Sequence, residues 1–394
     1  MMDKRLYLLT SYVKAAMGGC QCTLPIEEPD HFFTLARQQG LSGMIYFAFN
    51  KNDNDSVYQK FRDEFYRYTT KDAFQQEAIQ QITEIFDQQK IDHIFLKGAY
   101  MKQLYPNTAM RSMGDIDVLI KREDMDKAKE AMNNIGFTKQ ISGETHDVFV
   151  KNKIYVEVHP AVDSHFDENH LQVLNDLWNR AVLVKNHLYR MDDIDLGIYL
   201  LAHLAKHFRS SGVGIRQILD IGIWENYVRN IISIDNLKYQ LDKSGLMTFY
   251  CALVLLNQRW FDIDPLDNLI DTCNLNENDF EMIESLVLTS GVHGKAKGFN
   301  STLPKFASEG TKHDKKKHIK IKVFFSFVFP AKRKICFTYT YLNKYPFLLP
   351  VAWISRWFRW IFFQPKRSIR KIKEFKVDNK NISQHVELYQ KIGL

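Results

Sequence analysis

Asp115, Asp117 and Glu157 are the residues whose type and spacing point most directly to chemistry. The first two lie in Asp115-Ile116-Asp117-Val118-Leu119-Ile120, just after Gly114. Ile116, Val118 and Ile120 alternate with Asp115, Asp117 and Leu119, and a period of two puts both aspartates on one face of a strand. In Ile154-Tyr155-Val156-Glu157-Val158-His159 the same alternation gives Tyr155, Glu157 and His159 a common face. If these two strands pair side by side, Glu157 comes beside the aspartates. Carboxylates gathered in this way hold a hard cation, magnesium or manganese, against a phosphate. Two such ions activate an attacking oxygen and steady a leaving pyrophosphate. Clustered carboxylates repel one another, so Asp117→Asn is expected to abolish this chemistry and leave the fold intact or slightly firmer.

Basic and small residues surround the acids in the sequence. Phe95-Leu96-Lys97-Gly98-Ala99 offers Lys97 as a phosphate ligand. Gly98 has no side chain, so backbone N–H groups and the start of the next helix can approach phosphate. Arg111 either neutralises triphosphate charge or holds the acids by a salt bridge. His159 shares the face of Glu157 and either orients it or touches substrate. His203 and His207 are four apart and share a helix face. A zinc reading is set aside because the metalloprotease glutamate and a third ligand are missing. Lys206, His207 and Arg216 are expected instead to line a cleft wall facing a nucleotide. The structural alternative is a polar helix–helix contact in which Asp220 pairs with Arg216 or a histidine.

These residues need a scaffold. Residues 1 to about 75 read as helices, with an apolar stripe of Leu6, Leu8, Leu9 and Val13. A helix from Pro29 to Gln39 has Asp30 as N-cap and Gly40 as its stop. Another covers Gly43 to Phe49, and Ser56 to Gln89 keeps a helical period. A strand near His93 to Leu96 leads into the Gly98 turn and a helix from Ala99 to about Leu104. The aspartate strand follows, then a helix from Arg122 to Asn134 that Gly136 ends. Val148 to Val150 and Ile154 to Val158 read as a hairpin across Lys151-Asn152-Lys153. Helices return at Leu171 to Trp178, at Asp195 to Phe208 with Asp195 as N-cap, at Ile215 to Val228 and at Leu246 to Trp260. Ser308-Glu309-Gly310-Thr311 reads as a flexible link. The expected division is a helical segment over 1–75, a small mixed sheet with helices over 76–164, a helical domain over 165–305 and a basic aromatic segment over 306–394.

Several of these motifs together resemble the polymerase-beta-like nucleotidyltransferases, and within them a bacterial family labelled uncharacterised nucleotidyltransferase. The resemblance rests on Leu96-Lys97-Gly98, Arg111, Asp115 to Ile120, Gly136-Phe137, Glu157-Val158-His159, His203 to His207, Gly214-Ile215-Arg216 and Asp220. It covers roughly residues 75 to 230, with a weaker echo to about 365. The superfamily usually has Gly-Ser or Gly-Gly in the phosphate turn. Here Gly98-Ala99 removes a hydroxyl and keeps the backbone N–H groups. The resemblance implies an α+β fold and magnesium-dependent transfer of a nucleoside monophosphate from a nucleoside triphosphate, ATP among the candidates, to an acceptor hydroxyl. Asp115 and Asp117 would bind both ions. Glu157 would hold the catalytic ion and help deprotonate the acceptor. The acceptor, whether a small molecule, a protein side chain or an RNA end, is not named by the sequence, and DNA is not expected. The rival from another class is an inactive scaffold that binds a partner or membrane surface through the basic aromatic tail.

Composition bounds the rest. The 394 residues suggest two or three domains, since single cores stop growing near ~250–300 residues. A net charge of +7 suits an anionic ligand or surface without proving one. The five cysteines are scattered, the reading of reduced thiols in a cytoplasmic protein. Met1 to Tyr12 lacks the pattern of a signal peptide, and no run reaches the roughly 18 apolar residues of a spanning helix. Lys312 to Lys322 is a basic run, read as a solvated stretch. Trp353, Trp357 and Trp360 share a helix face, with Arg356 and Arg359 beside them. They are expected to dock on the protein's own helical part, largely buried, because burying aromatics is favourable. The competing outcome is an exposed aromatic face rimmed by Lys366, Arg367, Arg370 and Lys371, as on a membrane-surface helix.

Overall fold

The computed structural model describes residues 2–50, 56–142, 146–162, 166–266, 273–294, 300–311, 319–336 and 338–394. Its centre is one mixed sheet, flanked on both sides in the sequence by helices, an α+β architecture. The strands are β1 His93–Phe95, β2 Ile116–Ile120, β3 Thr138–Ser142, β4 Asp147–Lys151, β5 Ile154–His159, β6 Val182–Lys185 and β7 Leu188–Arg190. They lie side by side in the order β3-β4-β5-β2-β1-β7-β6. β2 runs parallel to β5 and β1 parallel to β7, while the other neighbours are antiparallel.

The period-two pattern explains how this sheet is covered. Ile116, Val118 and Ile120 of β2 and Val156 and Val158 of β5 are buried in one cluster. Ala78, Ile82 and Phe86 of the long helix Ser56–Gln88 and Ala128, Ala131 and Met132 of the helix Met125–Asn134 complete it. Leu119 of β2 points the other way and, with Ile94 and Leu96, joins a larger core built by the helices on the opposite face. That core includes the helices Asp193–Ser210, Ile215–Val228 and Met247–Phe261. Burying such side chains contributes about 1.5–3 kcal/mol each, so both faces of the sheet are fixed. The long helix runs through residue 75 without a break, and the sheet continues to Arg190.

Three strands were not evident in the sequence. β3 is mostly polar, and β6 is an edge strand whose Val182, Leu183 and Val184 are all exposed. Neither has the half-buried alternation that marks a strand. Asn186, at a positive φ of 49°, makes the tight turn into β7. The Leu171–Trp178 stretch is two short helices, Glu168–Leu174 and Leu177–Arg180. Asp192, not Asp195, caps the Asp193–Ser210 helix, accepting from the Ile194 N–H at 2.9 Å. Asp195 instead receives Arg180 at 2.8 and 2.9 Å. The helix Pro29–Gln38 has Glu28 at its N-cap position, and Asp30 lies in its first turn.

Ser308 to Thr311 is helix rather than link, part of Leu303–Thr311. Gly310 lets this helix meet the final helix, Asn379–Lys391, because a Cβ there would come within 2.3 Å of Val386. Residues 312–318, most of the basic run, lie outside the described residues. The expected docking of the tail is also different in kind. Trp353, Trp357 and Trp360 are half-buried, and their contacts are with the neighbouring tail helix Ile319–Val328 and the residues just after it.

Candidate active site

β2 and β5 pair in parallel with Asp117 opposite Glu157 and Leu119 opposite His159. Side chains opposite each other on parallel strands share a face, so Asp117, Glu157 and His159 project from the same side. Asp115 sits one residue before β2 and is exposed. All three acids line one cleft of about 240 Å³, with Lys97, Gly98, Arg111, His203, Arg216 and Asp220 among the residues around them. It opens between the sheet and the two helices Asp193–Ser210 and Ile215–Val228.

Asp117 is held by charge. His159 Nε2 donates to its Oδ1 at 3.1 Å, and Lys97 Nζ lies 3.5 Å from the same oxygen. Burial pushes the Asp117 carboxyl up, but the Lys97 charge and the His159 hydrogen bond outweigh it and hold the pKa at about 2. His159 also reaches Glu157 Oε2 at 3.4 Å. Burial pushes the imidazole down, and its bonds to Asp117 and Glu157 more than reverse this. The shift favours the charged form, in which His159 ties two carboxylates together. This overturns the stability argument made from clustered acids alone, because Asp117 is flanked by positive charge and its removal leaves Lys97 and His159 underpaired.

Oxygen donors from Asp115, Asp117 and Glu157 suit a hard cation. The tightest group of metal-ligating atoms among the described residues is different: His146, Glu157 and His159 place theirs within 4.8 Å of one another. The atoms around Glu157 thus mix carboxylate oxygen with imidazole nitrogen, and an imidazole ligates a metal only in its neutral form. His146 precedes β4, and nothing in its sequence neighbourhood marks it.

The turn after β1 is strained. Lys97 has φ 41° and ψ −103°, a conformation that a residue with a side chain rarely adopts. The helix after it is a single α turn, Gly98–Met101, followed by a 3-10 turn, Lys102–Leu104. So short a helix has little macrodipole. Gly98 is required by packing, since a Cβ there would lie 2.7 Å from Met113 Cγ and Sδ and 3.2 Å from Arg111 Nη1.

Opposite the acids stand two buried guanidinium groups. Arg111 Nε donates to Asp220 Oδ1 at 2.7 Å and Nη2 to Oδ2 at 2.9 Å, while the Tyr105 hydroxyl donates to Oδ1 at 2.8 Å. Arg111 is thus paired with Asp220 rather than with the three acids. Arg216 Nη1 donates to the Ser112 carbonyl at 2.9 Å, and its buried Nε has no hydrogen-bond partner among the described residues. Burial and the neighbouring Arg111 charge lower the Arg216 pKa. One buried carboxylate therefore answers two guanidiniums, leaving net positive charge on this wall. Asp220 lies four residues after Arg216, a spacing that marks a shared helix face but does not reveal Arg111 as the partner.

His207 and Lys206 are not among the residues lining the cleft; His203, one turn earlier, is. His207 Nε2 lies 2.9 Å from His203 Nε2, and its Nδ1 is 2.7 Å from Ser211 Oγ. His207 supports His203 from behind. The loop Ser112–Gly114 that delivers Asp115 is stapled to the long helix. Lys71 Nζ donates to the Met113 and Gly114 carbonyls at 2.8 and 2.9 Å, and Gln75 Nε2 to Gly114 at 2.9 Å.

No curated protein and no solved structure matches this chain. Residues 25–262 match a protein-family model described as uncharacterised nucleotidyltransferase. The match takes in the whole sheet, the acids of the cleft and both helices of its far wall, and the chain belongs to this nucleotidyltransferase family.

Proposed function

We propose that the protein transfers a nucleoside monophosphate from a nucleoside triphosphate to an acceptor hydroxyl and releases pyrophosphate. The observation that carries this reading is the in-register pairing of Asp117 with Glu157, which sets two carboxylates of one strand pair in a cleft whose far wall is cationic. A phosphate chain lying in that cleft meets the acids and Lys97 at one end and Arg111 and Arg216 at the other. Magnesium or manganese held by Asp115, Asp117 and Glu157 would supply charge neutralisation at the transferred phosphate and lower the pKa of the attacking hydroxyl.

The residues of the chain have distinct parts in this scheme. Arg216 and Arg111 both line the cleft, Arg111 with its charge held in place by Asp220, so both stabilise the leaving pyrophosphate electrostatically. Glu157, less buried than Asp117, is placed to accept the acceptor proton. His159 keeps Glu157 and Asp117 aligned. The Gly98 turn brings backbone close to the phosphates where a larger residue would collide with Met113. His203 faces the cleft from the helical wall, with His207 fixing its ring.

The test is incubation of the full chain with each labelled nucleoside triphosphate, magnesium or manganese, and a metabolite extract, followed by mass spectrometry. The expected product is an acceptor heavier by one nucleoside monophosphate, with pyrophosphate released in equal amount. Release of orthophosphate and nucleoside diphosphate, with no acceptor modified, would instead indicate a nucleotide hydrolase.

A further inference from the structure

The C-terminal part of the chain leaves the body and returns to it. The helices Leu303–Thr311 and Asn379–Lys391 pack together, and Ala307, Leu388, Tyr389 and Ile392 join the main core. Between them, residues 319–374 form three helices, Ile319–Val328, Leu349–Phe362 and Pro365–Glu374, joined by shorter turns. Their own cores are small.

One side of the Leu349–Phe362 helix is satisfied internally. Trp353 and Trp357 donate their indole N–H groups to the Pro330 and Val328 carbonyls at 2.9 Å, and Trp360 stacks on Phe327 at 4.7 Å. Arg356 donates to the Phe327 carbonyl at 2.7 Å and lies over the Trp360 ring. The adjoining side is different. Val351, Ile354, Phe358, Ile361 and Phe362 follow helical spacing on one face, and each is between 53% and 65% exposed. Phe347 and Phe363, at either end, are 74% exposed. The Ile319–Val328 helix adds exposed Ile321, Phe324 and Phe325, and Pro365–Glu374 adds Ile369 and Ile372. Phe325 stacks on Phe329, which meets both Trp353 and Trp357 at 5.2 Å, so the apolar surface of the first helix runs into that of the second. A contiguous apolar surface of this extent marks an interaction site.

Charge identifies the occupant. Between Ile319 and Lys376 the sequence holds fourteen lysines and arginines against one acid, Glu374. That excess is larger than the +7 of the whole chain, so the rest of the protein is net acidic. Two copies of so basic a surface repel each other, whereas anionic lipid headgroups attract it. Aliphatic and aromatic rows beside basic residues are what an in-plane helix needs to seat its apolar face at the headgroup boundary. Among the described residues, none of the helices is long and apolar enough to cross a membrane. We propose that residues 319–376 dock the protein on the surface of an anionic lipid bilayer, with Val351, Ile354, Phe358, Ile361 and Phe362 entering the interface. The acidic remainder is repelled by the same surface, which turns the body outward. The proposal is independent of the reaction assigned to the cleft.

The experiment is sedimentation of the full chain with vesicles of phosphatidylcholine alone or doped with phosphatidylglycerol, at low and high salt. The expected result is partition onto the doped vesicles that falls about tenfold at high salt, with little on phosphatidylcholine alone. Ile354→Asp with Phe358→Asp should abolish that partition, and Phe347→Ser, at the exposed end of the helix, should weaken it. Equal partition onto both vesicle types, or onto neither, overturns the proposal without reference to any variant. So does wild-type binding by either variant, or a wild-type dimer in light scattering that the double substitution splits, which would make a second copy the occupant.

Discussion

Replacing Asp220 by Asn should destabilise the protein by about 3–5 kcal/mol, the range for removing one partner of a buried ion pair. Arg111, Asp220, Arg216 and Tyr105 are all at least 93% buried. Asn keeps the volume and one acceptor, so the Arg111 Nε and Tyr105 bonds to Oδ1 can survive. The other carboxylate oxygen becomes an amide that faces the Arg111 Nη2 donor. Two buried guanidiniums then have no buried counter-ion. Urea unfolding at neutral pH, followed by far-UV circular dichroism, measures the loss. The pH dependence has a defined sign. Burial raises the Asp220 carboxyl, but the charges of Arg111 and Arg216 outweigh it and hold its pKa below the ordinary value. Its contribution is therefore present above about pH 4, the ordinary value, and is lost as pH falls through the folded pKa. The wild type should lose stability there and the variant should lose less. A paired substitution, Arg111→Met with Asp220→Leu, should be less harmful than Asp220→Asn alone, because it leaves one buried guanidinium without a counter-ion instead of two. A loss under about 1 kcal/mol for Asp220→Asn, or a double substitution that equals the sum of its parts, would refute the coupling.

Asp117→Asn should abolish nucleotidyl transfer and also destabilise, on the order of 2 kcal/mol from a pKa held near 2. The loss should be full above about pH 4 and vanish as pH falls toward 2, and a variant as stable as wild type at neutral pH would contradict it. Magnesium plus nucleoside triphosphate should raise the wild-type melting temperature and leave that of Asp117→Asn unchanged, read by differential scanning fluorimetry. Gly98→Ala should lower turnover and destabilise by about 1–3 kcal/mol by displacing Met113, and adding Met113→Ala should restore part of the stability in urea titrations. Glu225 is buried with its pKa pushed up to about 7 by desolvation, against the opposing Tyr250 hydrogen bond. The Glu225 contribution is most favourable below about pH 4.5 and is lost as pH rises through about 7, so Glu225→Gln should flatten this part of the dependence and raise stability at pH 8 by about 2–3 kcal/mol, checked by melting across pH.

The sheet's centre was legible in the sequence because each of its strands is buried on at least one face. Ile116-Asp117-Val118 and Val156-Glu157-Val158 carry a period that only a half-polar strand explains, and the register of β2 with β5 follows from keeping both valine rows inside. β3 and β6 were not legible because their residues pack against little. The link expected at Ser308 to Thr311 failed for a related reason. Gly310 reads as a breaker by propensity, yet tertiary packing against Val386 needs the space that glycine leaves. In the tail, helical spacing correctly grouped the three tryptophans on one face. It could not say what covers them, because their partners at Phe327, Val328 and Pro330 are about thirty residues away and belong to an apolar run with no face of its own.

The cleft shows where reading residue types by their usual partners stops. Arginine beside acids in sequence suggests a salt bridge to those acids, and Arg111 lies only four residues before Asp115. The carboxylate that takes it is 109 residues away, on a helix of the other core. This choice separates the two charges of the site. With Arg111 turned to Asp220, the acids at the strand ends keep their negative charge, with Lys97 and His159 beside Asp117. The far wall keeps the surplus of Arg216. A cleft with its charges paired across its own mouth would have nothing to offer a polyphosphate. One whose cations are anchored from behind, by a carboxylate already satisfied, presents positive charge on one wall and negative charge on the other. The buried pair is thus a device for holding opposite charges apart at short range, and the stability it contributes is the measure of how firmly it does so.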